Sequence, residues 1–562
     1  MNKDIPDSQY VADALWLDGS ELQKIPKDIQ DKLQSAKHSP EAYGERMREY
    51  LKLLTQKQQS HNPNYKKRYR ELYKHIDELT PHQAYTIIAR FLGNNTTQFF
   101  DQIPLKANLQ FPRDHQPKLT SQVGWHFFVG SVWAEDGQEY GVELMFFRQA
   151  ILPPQLAKEF GLTDVENQVI EIQLGISKAG DVHHQADPIV VAGTSGLIEV
   201  SNKPFRYALG KNSIEGSGNK ELLPLTVKAR GVDRSGSEPF ELELDLKLTG
   251  GKDFLLQGDD GAMPSVAGTG SLYYSIPNIQ VSVGSTLQYG DKKVKLKKGM
   301  MWFDHQWGFL SGNPQSDVLR AANNISAPGP SGWDWYMAQF DGDRQITMFA
   351  AHSKKFISYY FQSGATPPPA MTVPVAGKYM DERGELHNTW GTLEITKWGK
   401  AQSSPNPSKY PITHVWHPNE WHFSFDSTMP ADIRKFSMTQ IVESVQTNFF
   451  ANGAQYNEGA VILKDPDGKD IGRGFAEAVQ YADTTDNGLK LAGLEGSAEL
   501  KKVLTNNTAS LPRRISSLVY MLTHQKELKE VLKNSKGLEF FGSPKKVPKG
   551  RHLLQISITD II

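Results

Sequence analysis

The chain contains no cysteine in its 562 residues. Disulfides, thiolate metal sites and a cysteine nucleophile are therefore excluded. It also carries almost no net charge, with 62 Lys and Arg against 63 Asp and Glu. A nucleic-acid scaffold has a strongly basic footprint, so no nucleic-acid partner is expected. The lysine groups Lys66-Lys67, Lys295 to Lys298 and Lys545-Lys546 are short and widely separated. No continuous apolar run approaches a membrane span, and the opening residues Met-Asn-Lys-Asp-Ile-Pro-Asp lead into no apolar core of signal-peptide length. The expectation is a cytoplasmic protein without an integral membrane segment.

At this length the chain exceeds one hydrophobic core. Residues 1–110 show apolar side chains at i, i+3, i+4 spacing, as in Tyr43, Met47, Tyr50, Leu51 and Leu54, and predict a helical extension. Asn108 to Gln116 is mostly polar and contains a proline, which reads as a linker. From about residue 120 the period changes to two. Trp125 to Trp133 runs into Glu135-Asp136-Gly137 and returns as Tyr140 to Arg148, a hairpin by its Asp-Gly turn. Short strand-like runs then recur to about residue 480, among them Glu241 to Leu248, Ser271 to Tyr274, Ile346 to Ala350 and Gly391 to Ile395. Many short strands at such spacing indicate antiparallel barrels or sandwiches. Trp333-Asp334-Trp335-Tyr336, with its turn at Asp341-Gly342, repeats the pattern of the first hairpin and suggests two related β domains in tandem. After Tyr481 a helical period returns, as in Ile515, Leu518, Met521 and Leu522. The expected division is a helical extension over 1–110, β domains over 111–298 and 299–482, and a helical segment over 483–562.

The densest chemistry lies in Met301-Trp302-Phe303-Asp304-His305-Gln306-Trp307-Gly308. On a strand, alternation places Phe303, His305 and Trp307 on one face and Trp302, Asp304 and Gln306 on the other. A histidine between aromatics suits a proton donor in an apolar pocket, and equally a core histidine bonded to a backbone carbonyl. Glu143 and Arg148 fall on opposite faces of their strand, so one is expected to point inward and the other to meet solvent. His183-His184 have no standard zinc spacing and read as a solvated turn. His414, His417 and His422 lie in Pro-containing sequence that reads as loop. No metal site is expected.

Several pieces occur in the order of one known family: Trp125-His126-Phe127, Val142 to Arg148, His183-His184, Leu256 to Asp259, Ser271 to Ser275, Trp302 to Gly308, Tyr456 to Val461, and Gly472 to Glu477. Over residues 118–482 the chain resembles the lipocalin-like carotenoid 1,2-hydratase (hydroxyneurosporene synthase) family, which also includes kievitone hydratase and decalin-forming Diels-Alderases. The resemblance implies a mainly β fold of two tandem antiparallel lipocalin-like β-barrels, with the active cavity in or between them and no cofactor. It implies a lyase or cyclase acting on a hydrophobic polyene or terpenoid-like substrate, by acid-assisted alkene hydration or pericyclic ring closure. The alternative is a non-catalytic carrier of a lipophilic small molecule. The hydratase branch places a catalytic His and Trp two apart, and His305 and Trp307 match. Its Tyr and Asp two apart have their nearest counterparts here in Asp334 and Tyr336, in a different arrangement. The candidate catalytic groups are therefore His305, Asp304, Asp334 and Tyr336. Trp302, Trp307, Trp333, Trp335, Trp125, Phe127 and Glu143 are the candidate substrate-binding groups, with aromatic faces to stabilise a developing cation.

Overall fold

A computed structural model describes residues 100–479, apart from 105, 151–153, 160–162, 188, 194–195, 218–221, 259, 265–269, 310–332, 352–365, 401–415, 444–446 and 449–454. The helical segments expected at the two ends lie outside the described residues, save 100–104 and 106–110, where no helix forms.

The described chain is built from antiparallel strands in two sheets. The first sheet opens with β1 (Val123–Ala134), β2 (Glu139–Ala150), β3 (Gln168–Lys178), β4 (His183–Gln185) and β5 (Ile189–Ala192). It continues with β6 (Ile198–Asn202), β7 (Phe205–Leu209), β8 (Asn212–Gly216), β9 (Leu225–Asp233) and β10 (Phe240–Gly250). It ends with β11 (Leu255–Leu256), β12 (Ala262–Pro264), β13 (Gly270–Val281), β14 (Thr286–Tyr289) and β15 (Lys292–Gly308). The second sheet holds β16 (Trp333–Phe340), β17 (Arg344–Ala351), β18 (Met371–Met380), β19 (Leu386–Lys400) and β20 (Trp416–Phe425). It is completed by β21 (Lys435–Gln440), β22 (Thr447–Asn448), β23 (Gln455–Lys464) and β24 (Asp470–Val479). One short α-helix, Pro154–Glu159, follows β2.

The hairpins form at the expected turns. β1 pairs with β2 through a turn at Gly137 (φ +91°), and β16 with β17 through one at Gly342 (φ +81°). In the second sheet β21 pairs with both β20 and β23, which closes eight strands into a barrel. The first sheet is larger and differs from a simple barrel. It runs β4-β3-β2-β1-β15-β13-β10-β9-β8-β7-β6. It coils back on itself where the Asp187 amide, just past β4, donates to the Val232 carbonyl of β9 at 2.8 Å. The division between the sheets falls after Gly308, whereas the boundary expected at 298/299 cuts β15, which pairs with β1, β13 and β14.

The two sheets pack face to face. β1 and β2 are buried on both sides, because the second sheet covers their outer face. Close approach is set by small residues: a Cβ at Gly141 would lie 2.6 Å from the Ala460 Cβ on β23. Beside this contact Arg473 of β24 grips Glu139 of β2 with two hydrogen bonds, at 2.7 and 3.1 Å. Both partners are mostly buried, so Glu139→Gln is expected to cost about 1 kcal/mol in urea unfolding. An unchanged midpoint would show that the pair adds nothing to the packing of the sheets.

Candidate functional site

Strand alternation divides the candidate residues among three places. Inside the first sheet lie His305 and Trp307, with their rings 4.6 Å apart. The His126 ring of the paired strand lies 4.0 Å from that of His305, and Tyr274 of β13 meets His305 edge-on at 5.6 Å. The segment read as a linker supplies their partners. Its single 3-10 turn, Arg113–His115, presents backbone carbonyls inward. The Asp114 carbonyl accepts from His305 Nδ1 at 3.0 Å and the His115 carbonyl from His126 Nε2 at 2.8 Å. The His115 ring meets the Tyr274 hydroxyl at 2.7 Å, and Phe111 stacks on Phe254 at 3.8 Å. The polar sequence misled because the packing uses its main chain. Burial, more than any neighbour, drives His126 down to about 3 and His115 to about 4, and holds His305 well below its ordinary value. His305 is therefore neutral at pH 7, with its proton on Nδ1 and committed to a carbonyl. It has no imidazolium proton to give.

The second place is the seam between the sheets, which receives the other face of the same strands. Asp304 accepts from the Trp302 indole at 2.7 Å, the Tyr273 hydroxyl at 2.6 Å and the Ser275 hydroxyl at 2.5 Å. Burial nevertheless raises its carboxyl to about 7, against the pull of those three donors. Trp335, arriving from β16, sets its ring 6.4 Å from both Trp302 and Phe127, and Phe475 lies 6.1 Å from Phe127. Trp333 takes the first position of β16, in phase with Trp335. Trp125 stacks on Phe147 at 6.2 Å on the same outer face of the first sheet. Glu143 belongs here too. Arg148 instead lies inside the first sheet, donating to the Ser121 and Val123 carbonyls and the Gln168 side chain. Neither residue meets solvent, contrary to the expectation for the pair, because both faces of β2 are covered.

Sequence reasoning passed over the seam's most unusual group. From the Gly141–Ala460 contact, two residues along β2 and β23 lead to Glu143 and Glu458, which face one another across the seam. Glu458 is fully buried, and neither carboxylate oxygen has a hydrogen-bond partner. Burial, then Glu143, then Glu477, push its carboxyl well above the ordinary range. Nearby, the Trp335 indole N–H and Gln173 Oε1 are likewise unpartnered, while Gln173 donates to Glu171 at 2.6 Å. The available signal was a glutamate in phase with Tyr456 and Ala460, on a strand face otherwise apolar that leaves a carboxylate no solvent to face.

The third place is the interior of the closed barrel, which holds Asp334 and Tyr336, both fully buried. Tyr336 packs edge-on against Trp421, with ring centres 5.5 Å apart. His305, Asp304 and Asp334 are thus three separate positions and not one constellation.

The remaining histidines also differ from expectation. His183 and His184 lie on β4; His183 bonds the Ser177 hydroxyl at 2.9 Å, and His184 pairs with Asp233 at 2.8 Å while stacking on Phe240 at 3.6 Å. His417 and His422 lie on strand β20, whose proline at 418 is accommodated where β19 bulges. His414 is outside the described residues. Among the described residues one group, Asp381, Glu385 and His387, brings metal-type ligand atoms within 4.8 Å of one another. There Asp381 already accepts from the Arg383 and Glu385 amides, so the group closes a turn.

The family described as AttH-like matches residues 103–481, the whole of both sheets. The chain belongs to the AttH-like family. Among solved structures, this AttH-like chain is similar to a putative AttH from Nitrosomonas europaea, at 18% identity over 68% of this chain and 100% of that one, with a TM-score of 0.46. It is similar to kievitone hydratase from Nectria haematococca at 12% identity, over 68% of this chain and 98% of that one, with a TM-score of 0.42. A third similar structure is CghA with Sch210972, at 12% identity over 69% and 97%, with a TM-score of 0.28. No curated protein matches the chain. Among the described residues no helix is long and apolar enough to cross a membrane.

Proposed function

We propose that this AttH-like protein is a cofactor-independent lyase or cyclase for a hydrophobic polyene or terpenoid-like substrate, working at the seam between its two sheets. The observation that carries this reading is Glu458: a fully buried carboxyl with both oxygens open, near two further acids and in register with Trp335 across Glu477. Such a group keeps its proton at neutral pH and can deliver it. In hydration, Glu458 protonates an alkene carbon and becomes a carboxylate. Water then bonds to the resulting cation and returns a proton to Glu458. Trp302, Trp335 and Phe127 present ring faces that stabilise the cation by roughly 0.5–2 kcal/mol each. Asp304 acts as a positioning residue, since its bond to the indole nitrogen fixes the Trp302 ring. In ring closure the same carboxyl polarises a carbonyl oxygen, and the seam holds the folded chain in a reactive shape. The resemblance of residues 118–482 to a family of hydratases and ring-closing enzymes supports this class of chemistry, with the proton donor placed here at Glu458. In this reading His305 and Trp307 hold the wall behind the site.

Purified protein incubated with candidate polyenes in H₂¹⁸O separates the outcomes. Hydration yields a labelled alcohol, and cyclisation yields an unlabelled isomer. Glu458→Gln keeps the shape of the protonated acid and is expected to lower either rate by about 10²–10⁴-fold without lowering the melting temperature. Full activity in Glu458→Gln would remove Glu458 from the mechanism. A lipophile that co-purifies in native mass spectrometry and leaves every incubation unchanged would make the protein a carrier.

A further inference from the structure

The interior of the closed barrel is divided along its axis. Phe340, Phe423, Phe425 and Phe436 fill one end, with ring centres 5.0–6.2 Å apart. The other end carries a collar of polar side chains. Asp334 and Asn457 face Ala478 from either side of β24, so they stand at one level. Tyr336 is one inward position deeper, opposite Ala476, and its ring meets Trp421 from across the barrel. Gln440 pairs with Val461, and the Glu420–Thr439 pairing brings Asn419 beside it.

These groups are more than nine-tenths buried. Yet Asn419 Oδ1 and both amide atoms of Gln440 and of Asn457 have no hydrogen-bond partner. Buried polar atoms are almost always paired, and each orphan costs about 1–3 kcal/mol. Three side chains with open valences in one collar therefore call for an occupant. An eight-stranded barrel is just wide enough to hold one small molecule.

We propose that this collar is a binding cup for a small, uncharged, polyhydroxylated molecule of polyol or sugar type, separate from the chemistry at the seam. The open groups are mixed: amide N–H donors sit beside amide carbonyl acceptors, which suits hydroxyls that both give and take hydrogen bonds. No lysine or arginine belongs to the collar to hold an anion, and its carboxylate, Asp334, is engaged by the Tyr336 hydroxyl and not left open to a cation. The Tyr336 and Trp421 rings offer apolar faces to the C–H groups of such a ligand.

Ligand-observed NMR on the full chain tests this, with myo-inositol and D-glucose as probes and choline and succinate as charged controls. Saturable binding of at least one neutral probe at millimolar concentration is expected, and none of the charged ones. Gln440→Met and Asn457→Leu should each weaken it about tenfold by removing open partners, and Glu458→Gln should leave it unchanged. Gln440→Met also serves if Asn457→Leu fails to fold, and without ligand it should melt above the parent protein, since an unpaired amide is replaced by an apolar chain of similar size. Absence of saturable binding of both neutral probes, as for a cup holding water alone, overturns the proposal. So does binding that survives Gln440→Met undiminished.

Discussion

His305→Ala is expected to destabilise the protein by about 2–4 kcal/mol, a large fraction of a domain's stability. The truncation removes the donor to the Asp114 carbonyl and leaves a void between His126, Trp307 and Tyr274. Loss of that anchor also loosens the turn at Arg113–His115, whose second carbonyl is held by His126. Trp307→Phe keeps most of the apolar bulk, and a smaller cost of about 1 kcal/mol is expected. Urea unfolding of both variants measures this, and activity per folded molecule should survive. A His305→Ala protein with unchanged midpoint and abolished turnover would make His305 a catalytic residue and return the site to the interior of the first sheet.

Asp304→Asn is expected to become progressively more stable relative to the parent as pH rises from about 4 to about 7, with the difference growing by about 4 kcal/mol. The folded carboxyl titrates at about 7, against an ordinary value of 3.8. Between those values the folded protein holds a proton that the unfolded chain has lost. Parent stability from this group is thus fully present below pH 4 and falls as pH rises, levelling off above 7. The asparagine does not titrate and imitates the protonated acid, accepting from Trp302 and Ser275 while the Tyr273 hydroxyl turns to receive its amide. The buried histidines act in the opposite sense: His126, His115 and His183, lowered to about 3, 4 and 4, lose stability as pH falls below about 6.5. They are common to both proteins and cancel in the difference. A pH-independent difference would mean that Asp304 is ionised throughout, bound by its three donors.

Much of the β architecture is legible in the sequence. The Asp-Gly turns marked both leading hairpins, because such sequences adopt the left-handed backbone of tight turns without strain. Alternation separated His305 from Asp304 correctly, since neighbouring residues on a strand must point to opposite faces. What it left open was the identity of the cover on each face. Arg148 and Glu143 were expected to divide between core and solvent, and Asn108 to Gln116 to be a linker. Both expectations fail for the same reason: side-chain polarity does not by itself imply water, and here main-chain carbonyls and a second sheet are the partners.

Composition and local pattern alone carry the absence of thiol chemistry, the antiparallel period over residues 120–480, the family, and which residues share a strand face. These are properties of composition or of neighbours a few residues apart. Long-range packing is what turns one face of β15 into a sheet and the other into a seam, leaves Glu458 without a partner there, and puts Asp334 in a separate barrel. Those facts depend on contacts such as Arg473 with Glu139, which are 334 residues apart in the chain. No local pattern encodes such a pairing, because it arises only when both sheets have formed and buried the faces that each presents to the other.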